Sequence, residues 1–223
     1  MLEKMNEFFN SRAETYENHM LVDLGLHEFY EEIANFVEID GVNLKLLDLG
    51  CGTGLELERL FAKYPDMQVT GIDLSPEMLK ELKNKYKDQN INLICGSYFD
   101  VEFGGDFDVV LSTYSLHHFN GTEKLALYKK VFESMKPGGL YVEGDYTAKT
   151  EEQQLFHFAE LERLKKEQNL SDNSFYHYDT PMTAANQIEL LESAGFADIK
   201  IVNQWENTTI ITAKKLKRRE EKS

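Results

Sequence analysis

Short apolar runs alternate with amphipathic stretches through the interior of the chain. This alternation predicts β-α-β units around a mainly parallel sheet. The predicted strands are Lys45–Leu49, Gln68–Asp73, Ile91–Cys95, Asp108–Thr113 and Leu140–Glu143. Their Val, Ile and Leu content suits strands covered by helices on both faces. Helical patterns fill the gaps over Leu55–Lys63, Pro76–Tyr86 and Glu123–Met135. Ser75 supplies an N-cap ahead of Pro76 at the first helical position, and Glu77 and Glu81 sit towards the positive end of the helix dipole. The run Lys136-Pro137-Gly138-Gly139 ends the third helix and turns the chain into the next strand.

Outside this alternation, Met1 to about Asp40 reads as mostly helical. Thr150-Glu151-Glu152-Gln153 resembles a capping box that opens a charged helix to about Gln168. An aromatic, turn-prone segment follows over Ser174–Pro181, then a helix over Ala184–Ala194 closed by Gly195, and two last strands, Ile199–Gln204 and Thr208–Ala213. No linker or repeat divides the chain, so it reads as a single domain. Its parts are a helical cap (1–40), a core (41–149), an insert placed where a lid would attach (150–182), a closing helix and strands (183–213), and a basic tail (214–223).

The 223 residues suffice to bury roughly 70% of the unfolded surface in one core. A hydrophobic fraction of 42% excludes a disordered chain, and no apolar run approaches the roughly 18 residues of a membrane span. The opening Met1-Leu2-Glu3-Lys4 lacks the apolar stretch of a signal peptide, and two cysteines, Cys51 and Cys95, have neither disulfide-scaffold nor metal-ligand spacing. A reduced, cytoplasmic protein without a metal is expected. The net charge of −15 disfavours nucleic acid as a partner. Only the last ten residues are basic, with Lys214, Lys215, Lys217, Arg218, Arg219 and Lys222 against two acids; they form a contact patch or a solvated, frayed end.

The strongest chemical signal is Asp48-Leu49-Gly50-Cys51-Gly52-Thr53-Gly54 at the end of the first predicted strand, with a helix directly after it. Glycines let the backbone turn tightly and approach a ligand, and the helix start offers free N–H groups and a positive dipole end. Asp73 ends the second strand 19 residues past Gly54, close to the spacing of a carboxylate that binds ribose hydroxyls. A dinucleotide fold expects G-x-G-x-x-G, whereas this loop is G-x-G-x-G, which counts against a nicotinamide-dependent oxidoreductase.

The loop, with Asp48 two residues before its first glycine and Asp73 after it, resembles the first two motifs of the class I S-adenosylmethionine (SAM)-dependent methyltransferases. The resemblance extends over most of 40–146, through Phe107-Asp108, Ser112–Phe119 and Lys136–Gly139, and Phe8–Tyr16 looks like the N-terminal cap of small-molecule members. It implies an α/β, Rossmann-like doubly wound sheet, mostly parallel with an antiparallel last strand, that binds SAM and releases S-adenosylhomocysteine (SAH). Carried over residue by residue, Gly50, Gly52 and Gly54 would line the methionine part, with Asp48 and Cys51 of the same loop also at the cofactor, Asp73 would hold the ribose, and Leu74 would pack on adenine. Ser115 or Leu116 would sit near the amino-acid moiety, and Tyr16 and Arg12 would close over its carboxylate. Ser97 stands where many members carry an adenine-binding Asp, which passes part of that recognition to the backbone of Tyr98, with Asp100 an outside candidate.

Methyl transfer from a sulfonium is an in-line displacement whose thioether leaves without a proton, so positioning supplies most of the catalysis. A base matters only where the acceptor arrives protonated. His117, Asp145 and Tyr146, after the fourth and fifth strands, are the candidate catalytic residues, while capping and loop-shaping are their bland alternatives. His118, Tyr176, His177 and Tyr178, with Asp179 beside them, are candidates for the substrate wall, with packing between insert and last helix the alternative. The expected activity is methylation of a small molecule. An RNA-modifying enzyme and a non-catalytic SAM-binding protein are the competing classes, and monomer and homodimer are equally open.

Overall fold

The computed structural model describes residues 1–171 and 174–217. Seven strands form one sheet in the order β3-β2-β1-β4-β5-β7-β6: β1 Lys45–Leu49, β2 Gln68–Asp73, β3 Ile91–Cys95, β4 Phe107–Thr113, β5 Met135–Tyr146, β6 Ala197–Gln204 and β7 Thr208–Lys214. The first five pair in parallel, and β7 runs antiparallel to both β5 and β6. The expected doubly wound architecture is therefore the one observed. Its strand order reverses between β1 and β4, and a ligand crevice opens at the carboxyl ends of those strands.

Successive β1 residues face opposite ways, so Leu46 enters one core and Leu47 the other. The first core also takes Val109, Leu111 and Val142 with Phe29, Tyr30 and Ile33 of helix α3 (His27–Phe36). The second takes Val110 and Tyr141 with Leu127, Tyr128 and Val131 of α6 (Gly121–Ser134) and Leu191 of α8 (Ala184–Ala194). Burial on both faces is what made the core strands readable as uninterrupted apolar runs.

The first helix of the core, α4 (Leu57–Lys63), starts two residues later than its pattern. In α5 (Pro76–Lys85) the Ser75 hydroxyl accepts from Met78 N as expected. α6 begins earlier than its apolar periodicity, because Asn120 and Glu123 close a reciprocal capping box. The stretch Lys136–Gly139 is not a turn: β5 starts at Met135, paired with Phe107, and absorbs the glycines across a register shift.

The N-terminal cap is broken into short pieces: α1 (Met5–Asn10), a 3-10 turn Ala13–Thr15, α2 (Tyr16–Asn18), a π turn His19–Asp23, and α3. The insert opens with α7 (Glu151–Glu167), which buries none of its residues and leaves Phe156 62% exposed. Only half of the expected capping box forms there. Thr150 Oγ1 accepts from Gln153 N, but Gln153 Oε1 takes Lys149 N instead of the cap residue's own N–H.

The chain leaving α7 is tied down twice. Met5 N donates to Phe175 O (3.0 Å) and His177 N to Glu3 O (3.0 Å), while Thr180 N donates to His117 O (2.8 Å). Cap, insert and the loop after β4 thus meet above the crevice. The start of the basic tail is structural, since Lys214 belongs to β7 and Lys215 Nζ caps the carboxyl end of α6 through Phe132 O (2.7 Å) and Met135 O (2.8 Å). Arg218, Arg219 and Lys222 lie outside the described residues. Among those described, no helix is long and apolar enough to cross a membrane.

Candidate active site

The glycine loop leaves β1 at the switch point. Gly50 holds φ +73°, and a Cβ there would stand 2.1 Å from Ser115 Oγ and 2.6 Å from Tyr98 Oη, so only glycine fits. Those two groups hydrogen-bond each other at 2.6 Å behind the loop. Gly52 N donates to Asp73 Oδ2 (2.9 Å) and Ser75 N to Asp73 Oδ1 (2.8 Å). The carboxylate is thereby aimed across the loop with lone pairs to spare. Burial pushes its pKa up to about 6, against the pull of these two N–H donors.

A narrow cavity of about 50 Å³ lies over this loop, lined by Gly50, Gly52, Asp73, Leu74, Ser97 and Tyr98 among others. Ser115 also faces it, and Tyr16 closes it from the cap. These expected cofactor residues are brought together. Four others are not. Leu116 is fully buried in the second core. Cys51 is buried in the first core against Gly71. Gly54, at φ +75°, packs its α-carbon against Tyr86, Leu57 and Leu82, where a Cβ would meet atoms at 3.0–3.2 Å. Arg12 turns away: Nη1 bonds Glu3 Oε2 (3.1 Å) and Phe8 O (2.9 Å), with the guanidinium 3.6 Å over the Phe8 ring.

Asp48 is a different departure. It is fully buried behind the loop, and neither of its carboxylate oxygens meets a donor. Glu56 Oε1 is likewise unpartnered, while its Oε2 accepts from Thr113 Oγ1 (3.2 Å). Burial raises the pKa of both, and the neighbouring Glu56 raises that of Asp48 further. Buried polar groups are normally paired, so Asp48 Oδ1 and Oδ2 and Glu56 Oε1, without a donor beneath the loop, mark a place where positive charge would be favoured.

A larger cavity of about 460 Å³ adjoins the first and shares Phe9, Tyr16, Tyr114 and His118 with it. Here His117 Nδ1 donates to Asp145 Oδ1 (2.5 Å), and Asp145 is held by Leu116 N and Tyr146 N (2.8 Å each). His117 Nε2 faces Asp179 Oδ1 at 3.3 Å. Burial works against charging this imidazole, but Asp145 and Asp179 prevail and lift its pKa to about 9. With both ring nitrogens engaged, His117 is not a free base. Burial and then the neighbouring His117 charge pull His118 down to about 3. Tyr146 lines the same cavity.

Of the expected substrate wall, His118 and His177 reach this cavity, and His177 stacks on Phe8 at 3.4 Å. Tyr176 lines a separate hollow under α7, and the Tyr178 ring turns to His157, contributing its carbonyl to His118 Nδ1 (3.2 Å). Asp179, which follows Tyr178 in the insert, also lines this cavity, as do Phe9 and Tyr114, which sequence reasoning left out of the site.

The fold and the loop define an α/β protein with a narrow hollow at its switch point, lined by Gly50, Gly52 and Asp73 and underlain by buried carboxyls. Residues 46–139 match the methyltransferase domain family. A malonyl-[acyl-carrier protein] O-methyltransferase of Priestia megaterium is 29% identical over 133 residues, 59% of this chain and 47% of that protein. A carboxy-S-adenosyl-L-methionine synthase of Nautilia profundicola is 25% identical over 228 residues, covering 92% of this chain and 93% of the relative. Thus the chain spans about half the length of the first relative and nearly all of the second. Among solved structures, the DhpI–SAH complex superposes with a TM-score of 0.71 at 18% identity, covering 95% of each chain. Human N-acetylserotonin methyltransferase bound to SAM gives 0.64 at 18% identity, over 94% of this chain and 55% of that one. The match over residues 46–139 and these relatives support a class I SAM-dependent methyltransferase. SAM is the cofactor of that family and SAH its product.

Proposed function

We propose that this protein transfers the methyl group of SAM to a small molecule seated in the larger cavity. The observation that carries the reading is the shared wall: Phe9, Tyr16, Tyr114 and His118 line both the hollow over the glycine loop and the adjoining cavity, so a donor and an acceptor would lie end to end. Bound SAM supplies an electrophilic methyl on a positively charged sulfur. Asp73 accepts the ribose hydroxyls, Leu74 packs on the adenine, Ser97 and the Tyr98 backbone flank it, and Gly50 and Gly52 admit the methionine chain. The Asp48–Glu56 pair gives the loop a negative potential through low-dielectric protein, which favours the sulfonium and the α-ammonium.

The free space over the loop is far smaller than that beside it, so Phe9 and Tyr16 lift for entry and close again afterwards, excluding water. The buried Tyr16 hydroxyl stays protonated, since burial and then Glu56 raise its pKa. Catalysis then rests on alignment of acceptor and methyl, which is worth several kcal/mol. The net charge of −15 supports a small molecule over a nucleic acid as acceptor. Incubation of the protein with SAM and pools of small hydroxyl, carboxyl and amine compounds tests this: SAH should accumulate together with one methylated product. Tight SAH binding with no product from any pool would leave a non-catalytic binding protein. A second reading, favoured by the near full-length match to the carboxy-SAM synthase, has the sulfonium itself modified. Mass spectrometry of the cofactor separates the two, because only that reading yields a sulfonium bearing an added carboxyl group.

A further inference from the structure

We infer that His117, His118 and Asp179 form a binding site for one borderline divalent cation of the Fe²⁺, Co²⁺, Ni²⁺ or Zn²⁺ type, at the inner end of the larger cavity. No metal-binding spacing exists in the sequence, and the fold creates the site. One ligand atom from each of these residues lies within 4.8 Å of the others. Asp179 Oδ1 stands 3.3 Å from His117 Nε2 and 3.7 Å from His118 Nδ1, separations that ligands on a single ion of roughly 2.0–2.2 Å bond length readily span. Two imidazoles and one carboxylate are the donor set that holds first-row transition ions with coordination positions left open. Magnesium and calcium, which prefer all-oxygen sites, are disfavoured here.

The surroundings are those of a ligand set rather than of a loose ion pair. The outer nitrogen of His117 donates to Asp145, and Asp145 is itself held by two backbone N–H groups. A carboxylate on the far nitrogen is the usual outer partner of a metal-bound histidine, fixing its tautomer and aiming the other nitrogen. Both histidines ride on one rigid turn, Leu116–His118. The segment bearing Asp179 is locked to that same turn by Thr180, whose N and Oγ1 both bond His117 O (2.8 and 3.0 Å). Little rearrangement is needed for binding. His117 gives up the Nε2 proton that faces Asp179, and His118 gives up its contact with the Tyr178 carbonyl and presents Nδ1 as a lone pair. The side chain of Asp179 is 47% exposed, so the ion would keep a face open to the cavity. If the methyl-transfer reading holds, that open face is where an acceptor oxygen would be bound and polarised.

The test uses the full chain, stripped with a chelator and dialysed, and titrated with Co²⁺ and separately with Zn²⁺. The expected result is one ion per chain by calorimetry, with visible absorption bands for Co²⁺. His117→Ala and Asp179→Asn should each abolish stoichiometric binding, and Asp145→Asn should weaken it 10–100-fold. His157→Ala, on the exposed insert helix, should leave it unchanged. Each variant is checked by circular dichroism and by SAH binding, which depends on Asp73 and not on these residues. Absence of the Co²⁺ bands in the wild-type protein would overturn the assignment, as would stoichiometric binding that survives both His117→Ala and Asp179→Asn. SAH binding with no metal uptake sinks this inference alone, whereas metal uptake without SAH binding sinks the cofactor reading alone.

Discussion

Asp73 offers the sharpest test of the cofactor site. It accepts one backbone N–H on each oxygen, from Gly52 and from Ser75, and ribose hydroxyls would take the remaining lone pairs. A hydrogen bond to a charged group contributes ~1.5–3 kcal/mol, which at 1.4 kcal/mol per decade is roughly 10- to 150-fold in affinity. Asp73→Asn keeps the size and one acceptor oxygen but removes the charge, so SAH should bind it at least tenfold more weakly at pH 7.5. The pH dependence gives an independent reading. With its pKa raised to about 6 by burial, Asp73 is ionised at pH 7.5 and takes up a proton as the pH falls through 6. Only the ionised form accepts from both ribose hydroxyls, so wild-type affinity should fall by up to about tenfold per pH unit below that point. The Asn variant should be flat over the same range. Calorimetry between pH 5 and 8 checks both. A wild-type affinity that does not change, or an Asn variant within threefold of it at pH 7.5, would refute the placement of the ribose.

Glu56→Gln would supply the donor that Asp48 lacks. It should raise the ligand-free Tm by about 2–4 °C for ~1 kcal/mol gained, yet weaken SAH while leaving adenosine affinity unchanged, as differential scanning fluorimetry and calorimetry would show. Gly50→Ala forces a left-handed residue costing ~1–2 kcal/mol and a Cβ into Ser115. SAH affinity should drop more than tenfold, and the double variant with Ser115→Gly should recover part of it. Lys124 is fully buried, its Nζ 3.4 Å from Glu143 Oε1 and 3.2 Å from Gln187 Oε1, with Tyr128 and Tyr141 on the other Glu143 oxygen. Lys124→Met leaves that carboxylate without its cation and should cost ~3–5 kcal/mol in urea unfolding.

The glycine loop and the acid that faces it could be read directly. Gly50 and Gly52 are announced by their spacing after an apolar strand, and Asp73 by its place at the end of the next one. Which way each loop residue points was not readable: Gly54 and Cys51 alternate with Gly50 and Gly52, which line the hollow, but turn into helix and sheet. Leu116 looked like a pocket residue beside Ser115, and it is core, because the turn after β4 rotates successive side chains to opposite sides. Arg12 was expected over the cofactor carboxylate and is held on Glu3 and Phe8 from the turn between α1 and the 3-10 turn.

By itself, the sequence determined the place of the core strands, the start of α5, both ends of α8, and the position of the glycine loop. Strand pleat, glycine freedom and capping act over a few residues, and their traces survive in a linear pattern. Tertiary structure alone decided the acceptor side. Thr180 reaches His117 across 63 positions, Asp179 arrives with it, and the cap closes from the opposite end of the chain. Such contacts depend on where the sheet and its crossovers place distant segments, and no local spacing encodes that placement.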